Sequence, residues 1–211
     1  MEIDRGITRY EVMPILPVEA HTERFEAGPI SIGVEYRLLD DAITAAYNAN
    51  NDSQFSIVDR GVSLHVFGKT GDEESEYLRF DCFEEGPHYH YVSHARRTNE
   101  MVYLDPAAHG DSLEWALDCI RTRLPQMLTR AGASELASQV ELARVEEILP
   151  KVAEAAYRAR FVHDDEAIHA LALSEATAHP STPAITNIPE TRETPGTAKT
   201  AGAAEPSGGR S

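Results

Sequence analysis

Cysteine is scarce in this sequence, and its scarcity excludes a disulfide-stabilised scaffold. The 211 residues contain only Cys82 and Cys119, and the two do not form a CxxC pair of the kind found in redox and zinc motifs. Both thiols are therefore expected to be reduced. Hydrophobic residues make up 42% of the chain, which is enough to bury a core without cross-links.

Basic residues are also scarce. The chain has 19 Lys and Arg against 35 Asp and Glu, so its net charge is -16. Such a charge repels nucleic acid phosphates and anionic lipid surfaces. The densest basic pair, Arg96 and Arg97, stands in a polar loop and is too small for a nucleic acid footprint. We expect no nucleic acid or membrane partner, and expect another protein or a small molecule instead.

Long apolar runs and the common nucleotide-binding motifs are missing. No apolar run approaches the roughly 20 residues of a membrane span, and the first residues, Met1 to Arg5, do not resemble a signal peptide. These features predict a cytoplasmic protein. No GxSxG elbow, P-loop or dinucleotide-binding glycine motif supplies a nucleophile or a nucleotide cofactor.

The residues that are present divide into a folded part and a tail. From about Glu175 onward the apolar periodicity stops, and the sequence becomes a mixture of Thr, Ala, Pro, Gly and Ser. This composition is typical of disordered segments. We predict a single domain over residues 1–171 and a disordered tail over residues 172–211.

Apolar and polar residues alternate in several segments, which is the pattern of a strand with one buried face. The alternation is clearest between Ile30 and Leu38. A short helix is predicted from Asp40 to Ala49, where Asp40 can cap the first turn. A polar turn is expected over residues 68–75, and further strands are predicted near residues 62–66, 78–82, 88–92 and 100–104.

Helix signals follow these strands. Asp111 to Glu114 forms a capping-box pattern, and apolar residues continue from it at spacings of three and four. Pro125 is expected to kink or end this helix, and Gly132 to close its pattern. Pro150 is expected to break the next helix in two.

Strands that precede helices without strict alternation indicate an α+β fold. We predict an antiparallel meander of about four or five strands, with the carboxy-terminal helices packed on one face. The two edge strands of such a meander could pair between copies of the chain in a homodimer.

The segment RFDCFEEGPHYHY, residues 79–91, has the highest density of reactive side chains in the chain. Two histidines, His88 and His90, follow a Gly-Pro turn, and an aspartate and a cysteine, Asp81 and Cys82, precede it. On a hairpin, the parity of the loop decides which side chains share a face.

A four-residue loop would place Phe83 opposite His88 and Asp81 opposite His90. A loop of three or five residues would place Cys82 opposite His88 instead. We predict the first arrangement, because it gathers the apolar side chains on one face. The opposite, polar face then carries His65, Arg79, Asp81, His88 and His90.

Three functions fit this polar face. His88 and His90 could bind a divalent metal such as zinc, with Asp81, or an acid from Glu84–Glu85, as third ligand. His65, His94 and His109 are further candidate ligands, and the odd loop parity would favour Cys82 as a thiolate ligand.

In the second function, His90 held by Asp81 acts as a general base, with His88 as the acid and Arg79 stabilising negative charge. In the third, the imidazoles and Asp81 form a hydrogen-bonded polar surface with a structural role, and the tyrosines fill the core. The surface of Arg79, Asp81, His88 and His90 is also suited to binding another protein or a small molecule. Trp115 and Cys119 are expected to belong to the core.

The chain resembles an uncharacterised bacterial protein family over about residues 30–135. The resemblance lies in LRFDCF at residues 78–83, PHYHY at 87–91 and GDSLEWA at 110–116. It implies a domain type and a cytoplasmic bacterial setting. It implies no activity and no catalytic residue.

We therefore interpret the chain as a small acidic binding or regulatory protein whose functional surface is the His88/His90 hairpin. The alternative is a metal-dependent, hydrolase-like enzyme with Asp81, His88 and His90 as ligands.

Overall fold

The computed structural model describes residues 7–11, 13–51, 56–70 and 73–178. Its central element is a seven-stranded antiparallel sheet in the order β1-β7-β6-β5-β4-β3-β2. The strands are β1 Ile7–Tyr10, β2 Glu23–Ala27, β3 Ile30–Leu39, β4 Asp59–Thr70, β5 Glu73–Phe83, β6 His88–Ser93 and β7 Thr98–Tyr103. The helices are α1 Asp41–Asn51, α2 Pro106–His109, α3 Ser112–Arg130, α4 Ser134–Gln139, α5 Leu142–Phe161 and α6 Asp165–Ala178.

The predicted α+β class and antiparallel sheet are confirmed, but the prediction of four or five strands is wrong. The two strands without a predicted counterpart, β1 and β2, form the edges of the sheet. Strand β1 (ITRY) has only four residues, and β2 (ERFEA) has three charged residues in five, so neither shows the apolar alternation from which strands are predicted. Strands β2 to β7 form a meander in chain order, and β1 adds to its far edge beside β7.

The main core lies between one face of the sheet and helices α3, α4 and α5. Alternate residues of the central strands supply the sheet side, among them Val34, Leu64 and Phe80. Leu113, Ile120 and Leu128 supply the α3 side, and each is at most 1% exposed. The predicted packing of the carboxy-terminal helices on one face thus holds for α3, α4 and α5, whereas α6 also packs against α1. Trp115 and Cys119 belong to this core, as predicted.

Aspartate caps begin two of the helices at the predicted positions. Asp40 accepts hydrogen bonds from the backbone of Ala42 and Ile43 at the start of α1. Asp111 accepts from Leu113 and Glu114 at the start of α3. At the other end of α3, Gly132 adopts a φ of 94°, which favours glycine, and closes the pattern as predicted.

The predicted effect of proline on the helices is wrong at Pro150. This residue lies inside the continuous helix α5, and Pro125 lies inside α3, which continues to Arg130. A proline removes one backbone hydrogen bond, but the buried face of α5 packs along β2, β3 and β4. Tertiary packing of this kind contributes more to helix stability than local propensity does.

The second face of the sheet is also covered, which the sequence pattern did not predict. Every residue of β3 except Leu38 is buried, including Glu35 and Arg37. Residues 13–18, here called the strap, lie over this polar face and are joined to it by hydrogen bonds from Arg37 and Arg79. A smaller apolar cluster centred on Leu39, Ile43 and Phe83 joins α1 and α6 to the same face.

Helix α6 continues to Ala178, beyond the boundary predicted at residue 172. The rest of the predicted tail, residues 179–211, lies outside the described residues. Within the described part of the chain, no helix combines the length and apolarity needed to cross a membrane.

Candidate metal centre

Asp81, His88 and His90 lie side by side on strands β5 and β6, on the face covered by the strap. The strand register places Asp81 opposite His88, and Arg79 opposite His90. The predicted faces are therefore correct, but the predicted pairing of Phe83 with His88 is wrong by two residues. Phe83 instead pairs with Gly61 of the preceding strand.

The wider connection between β5 and β6 is held by Asp59. Its two carboxylate oxygens accept hydrogen bonds from the backbone N–H groups of Glu85 and Gly86, at 3.1 and 2.8 Å. The backbone N–H of Glu84 donates to the carbonyl oxygen of Arg60 at 2.9 Å. Residues 84–86, which follow β5, therefore remain hydrogen-bonded to β4, and the register between β5 and β6 is shifted by two residues from the predicted one.

Cys82 lies on the opposite face, in the core under the helices. Burial raises the pKa of its thiol, so the residue stays a neutral thiol. The alternative of a thiolate ligand at Cys82 is therefore wrong for this register.

One carboxylate oxygen of Asp81 faces both histidines. Its Oδ2 is 3.3 Å from Nε2 of His88 and 3.1 Å from Nε2 of His90. The three side chains each offer one ligand atom, and these atoms all lie within 4.8 Å of one another. All three residues are buried.

The other ring nitrogen of each histidine contacts a carbonyl-type oxygen. Nδ1 of His88 is 2.6 Å from the backbone oxygen of Gly86, and Nδ1 of His90 is 2.6 Å from Oδ1 of Asn99. Such oxygens only accept hydrogen bonds, so Nδ1 carries the proton in both rings. In a neutral ring, Nε2 then points a lone pair at Asp81, and a proton or cation is needed between them.

Ser63 orients the carboxylate from the other side. Its hydroxyl donates a hydrogen bond to Oδ1 of Asp81 from the paired position on β4. Each of the three candidate ligands thus has a second partner that holds it in place, the arrangement that typically supports metal ligands. Sequence reasoning missed Ser63 and Asn99, because short polar residues in strands carry no motif of their own.

Charge interactions in the cluster are strong. Burial opposes ionisation of Asp81, but hydrogen bonds from His88 and His90 hold the pKa of this carboxyl well below its usual range. Burial alone lowers the pKa of His88, yet the hydrogen bond with Asp81 raises it overall. Burial prevails at His90, whose pKa is lowered. The carboxylate is therefore ionised at neutral pH and available to a cation.

A second buried polar cluster lies next to the first. Nδ1 of His65 is 2.6 Å from Glu76, and its Nε2 is 3.0 Å from Glu35. Arg79 binds both carboxylate oxygens of Glu76, at 2.8 and 2.6 Å, and Arg37 lies 3.7 Å from Glu35. His65 therefore belongs to a charge network and is not a ligand of the Asp81 cluster.

A β-bulge brings Glu76 into this network. The register between β4 and β5 shifts between Val66 and Phe67, so that Leu78 pairs with Val66 while Glu76 pairs with Phe67. The extra residue turns Glu76 to the same face as Arg79, although strict alternation would put them on opposite faces. Sequence reasoning missed Glu76 for this reason.

The remaining candidate ligands lie elsewhere. Glu84 is exposed and pairs with Arg60, and His109 contacts the backbone of Asp105. His94 contacts the backbone oxygen of Glu76 through Nε2. Of the predicted site residues, Asp81, His88 and His90 form the cluster, and Arg79 lies beside it in the charge network.

A cavity of about 180 Å³ adjoins the cluster. Its polar floor is formed by Arg37, Arg79, Asp81, His88 and His90. The strap forms one wall, and the rest is mainly aromatic and aliphatic, with Tyr10, Met13, Ile15, Tyr47, Ile57 and Phe83 among the lining residues. The three candidate ligands therefore lie in the floor of this cavity.

Comparison with known proteins gives one match. A family model described as Domain of unknown function (DUF7700) matches residues 24–156, which include all three candidate ligands. No curated protein and no solved structure matches the chain. Because the matched segment covers more than half of the 211 residues, the chain belongs to this family of domains of unknown function.

Proposed function

We propose that this protein binds one divalent first-row metal ion through Asp81, His88 and His90, and uses it to hold or transform a small molecule in the adjoining cavity. The observation that carries this proposal is the orientation of the histidines. Both Nδ1 atoms face acceptors and both Nε2 atoms face the same oxygen of Asp81, so either a proton on each Nε2 or one shared cation must lie between them. A bound cation would satisfy all three groups at once.

The spacing of the ligand atoms supports a metal ion. Metal–nitrogen and metal–oxygen bonds of roughly 2.1 Å, meeting at angles of 90° to 109°, place neighbouring ligand atoms roughly 3.0 to 3.4 Å apart. The separations between Asp81 Oδ2 and the two Nε2 atoms are 3.3 and 3.1 Å. Two of the three ligand-atom separations therefore match a bound ion, and the separation between the two histidine nitrogens, which lies within 4.8 Å, would close to about 3.4 Å or less.

The ligand set favours zinc or ferrous iron. Two histidines and one carboxylate leave coordination positions open for a water or another small molecule, which is typical of catalytic rather than structural centres. The metal would polarise an oxygen atom bound at an open position. This arrangement favours the metal-dependent alternative over a binding module.

The burial of the site favours a small molecule over a protein as its partner. Arg79, Asp81, His88 and His90 are at most 6% exposed, so they offer little surface to another protein. A homodimer through the edge strands, a cytoplasmic location and a bacterial source stay predictions.

Metal analysis of protein purified without a histidine tag tests the proposal. Calorimetric titration of chelator-treated protein with zinc or ferrous iron is expected to give one site per chain. Asp81→Asn and His90→Gln should remove this site, because each deletes one ligand atom. His169→Gln is the matched control, since His169 of α6 is 2.7 Å from Asp40, the residue that caps α1, in another histidine–aspartate pair.

Circular dichroism checks that each variant is folded. Absence of one-to-one binding in the wild type, or equal binding in the two ligand variants and the control, would show that the cluster is an imidazolium–carboxylate group without a metal.

A further inference from the structure

The geometry points to a small organic anion, about the size of one six-membered ring, as the molecule that binds in the cavity. Its anionic oxygen would occupy an open position on the metal, and its apolar part would fill the space under the strap. This inference rests on the proposed metal centre and names the class of molecule that the centre takes.

The volume of the cavity sets the size of the molecule. The cavity measures about 180 Å³. For comparison, an engineered apolar protein cavity of roughly 150 Å³ accommodates benzene. A single ring with one small substituent therefore fits, whereas two fused rings would extend beyond the cavity.

The charged residues in the floor of the cavity determine the sign of the charge that the bound molecule carries. Arg37 and Arg79 line the cavity, and both guanidinium groups are buried. His65 lies between two carboxylates, and these partners, against the effect of burial, raise its pKa so that it is held as an imidazolium. These three cations balance the buried carboxylates of Glu35, Glu76 and Asp81.

A divalent metal ion would consequently leave this region with two positive charges in excess. The two guanidinium groups line the cavity, whereas Glu35 and Glu76 are absent from its lining and lie behind them. In a site shielded from water, such an excess attracts an anion more strongly than at an exposed surface. A carboxylate or phenolate oxygen would also be a good ligand for the ion.

The apolar walls of the cavity determine the chemistry of the part of the molecule that carries no charge. The cavity is lined by aromatic and sulfur-containing side chains, including Tyr10, Tyr47, Phe83 and Met13. Aromatic rings pack well against other rings and against methionine sulfur. A planar, apolar body attached to the anionic group therefore matches the walls.

Calorimetric titration of the zinc-loaded protein with benzoate and with the neutral isostere benzamide tests the inference. Benzoate is expected to bind at least tenfold more tightly than benzamide, and this preference should disappear when a chelator removes the zinc. The larger anion 2-naphthoate should bind more weakly than benzoate. Equal affinity for benzoate and benzamide, or stronger binding of 2-naphthoate, would overturn the inference while the metal centre stands.

A pair of variants shows whether the anion occupies this cavity. Ile57→Trp should fill the cavity and abolish benzoate binding without changing zinc binding, because Ile57 lines the cavity and is not a ligand. Leu142→Trp is the control, since Leu142 is 44% exposed on α5 and absent from the lining. Ile57→Phe gives the same comparison if the Trp variant does not fold.

Unchanged benzoate binding in the filled variant would rule out the cavity as the binding site. Failure of the wild type to bind zinc would instead overturn the proposed function, and this inference with it.

Discussion

Two histidines in this protein illustrate how the partners of a ring decide its chemistry. His65 contacts carboxylates through both nitrogens, so it is held as a cation in a closed charge network. His90 contacts an amide oxygen through Nδ1 and a carboxylate through Nε2, and burial lowers its pKa, so in the neutral ring Nε2 directs a lone pair at Asp81. The first arrangement contributes to stability, and the second can accept a metal.

The charge state of His65 predicts a pH-dependent contribution to stability. Burial lowers the pKa of an imidazole, but Glu35 and Glu76 raise the pKa of His65 above its ordinary value, and Arg79 opposes them only in part. A pKa that is higher in the folded state stabilises the fold below the unfolded pKa, and this contribution is lost as pH rises through the folded pKa.

Replacing His65 by Gln should therefore reduce the free energy of unfolding most at low pH. We expect a loss of about 3 to 5 kcal/mol in the free energy of unfolding below about pH 6, and a progressively smaller loss as pH rises above about 6.5. Urea denaturation of both proteins at a series of pH values measures the difference. Phe67→Leu is the control, because Phe67 stacks on His65 without titrating, and its cost should not vary with pH. A His65→Gln cost that is equally flat would contradict the charged state.

At the level of elements, packing overrides local preference in helix α5. Pro150 is an exposed residue inside this helix. The buried residues Val145, Val152, Ala155 and Ala156 hold the helix against the sheet on both sides of the proline. The helix therefore retains a residue that lowers its own stability.

Replacement of Pro150 by Ala should stabilise the protein. Alanine restores the missing backbone donor and removes a residue that costs up to about 3 kcal/mol in a helix interior, so we expect a gain of about 1 to 3 kcal/mol. Chemical denaturation measures the change. Lys151→Ala, at the neighbouring exposed position, should change stability by less than about 0.5 kcal/mol. A destabilised Pro150→Ala variant would mean that the helix and sheet are shaped around the proline.

At the scale of the whole molecule, local patterns predict one face of the sheet well and the other poorly. Alternation along β3 to β6 correctly placed Leu64, Phe80 and Cys82 under the helices, and Asp81, His88 and His90 on the opposite face. Alternation says nothing about what covers that opposite face. The strap is distant in sequence from most of the strands it covers, so the cavity could not be predicted.

The hairpin register and the charge network were missed for similar reasons. Asp59 sets the connection before β6 from a different strand, and the bulge before Leu78 changes which residues of β5 face the strap. Both effects depend on contacts between strands rather than on the spacing of residues along one strand. Sequence analysis therefore identified the three candidate ligands but not the residues that hold them.

Metal binding should be visible in the stability of the entire chain. A ligand that binds only the folded state stabilises it by about 2.7 kcal/mol when its free concentration is about 100 times its Kd. For a chain of this size, that corresponds to a rise in Tm of about 5 to 10 °C. Calorimetric melting with zinc and with a chelator measures the shift, and Asp81→Asn should show none. An equal shift in wild type and variant would place the zinc elsewhere.

The hydrogen bonds that attach the strap have a consequence for which of its residues can change. Arg37 and Arg79 hold the main-chain oxygens of Ile15 and Leu16, which every amino acid possesses. Both arginines and all three candidate ligands lie within the matched residues 24–156, whereas the strap precedes them. The side chains of the strap can therefore change without loss of these hydrogen bonds, so that a new sequence over residues 13–18 reshapes one wall of the cavity while the three candidate ligands stay in place.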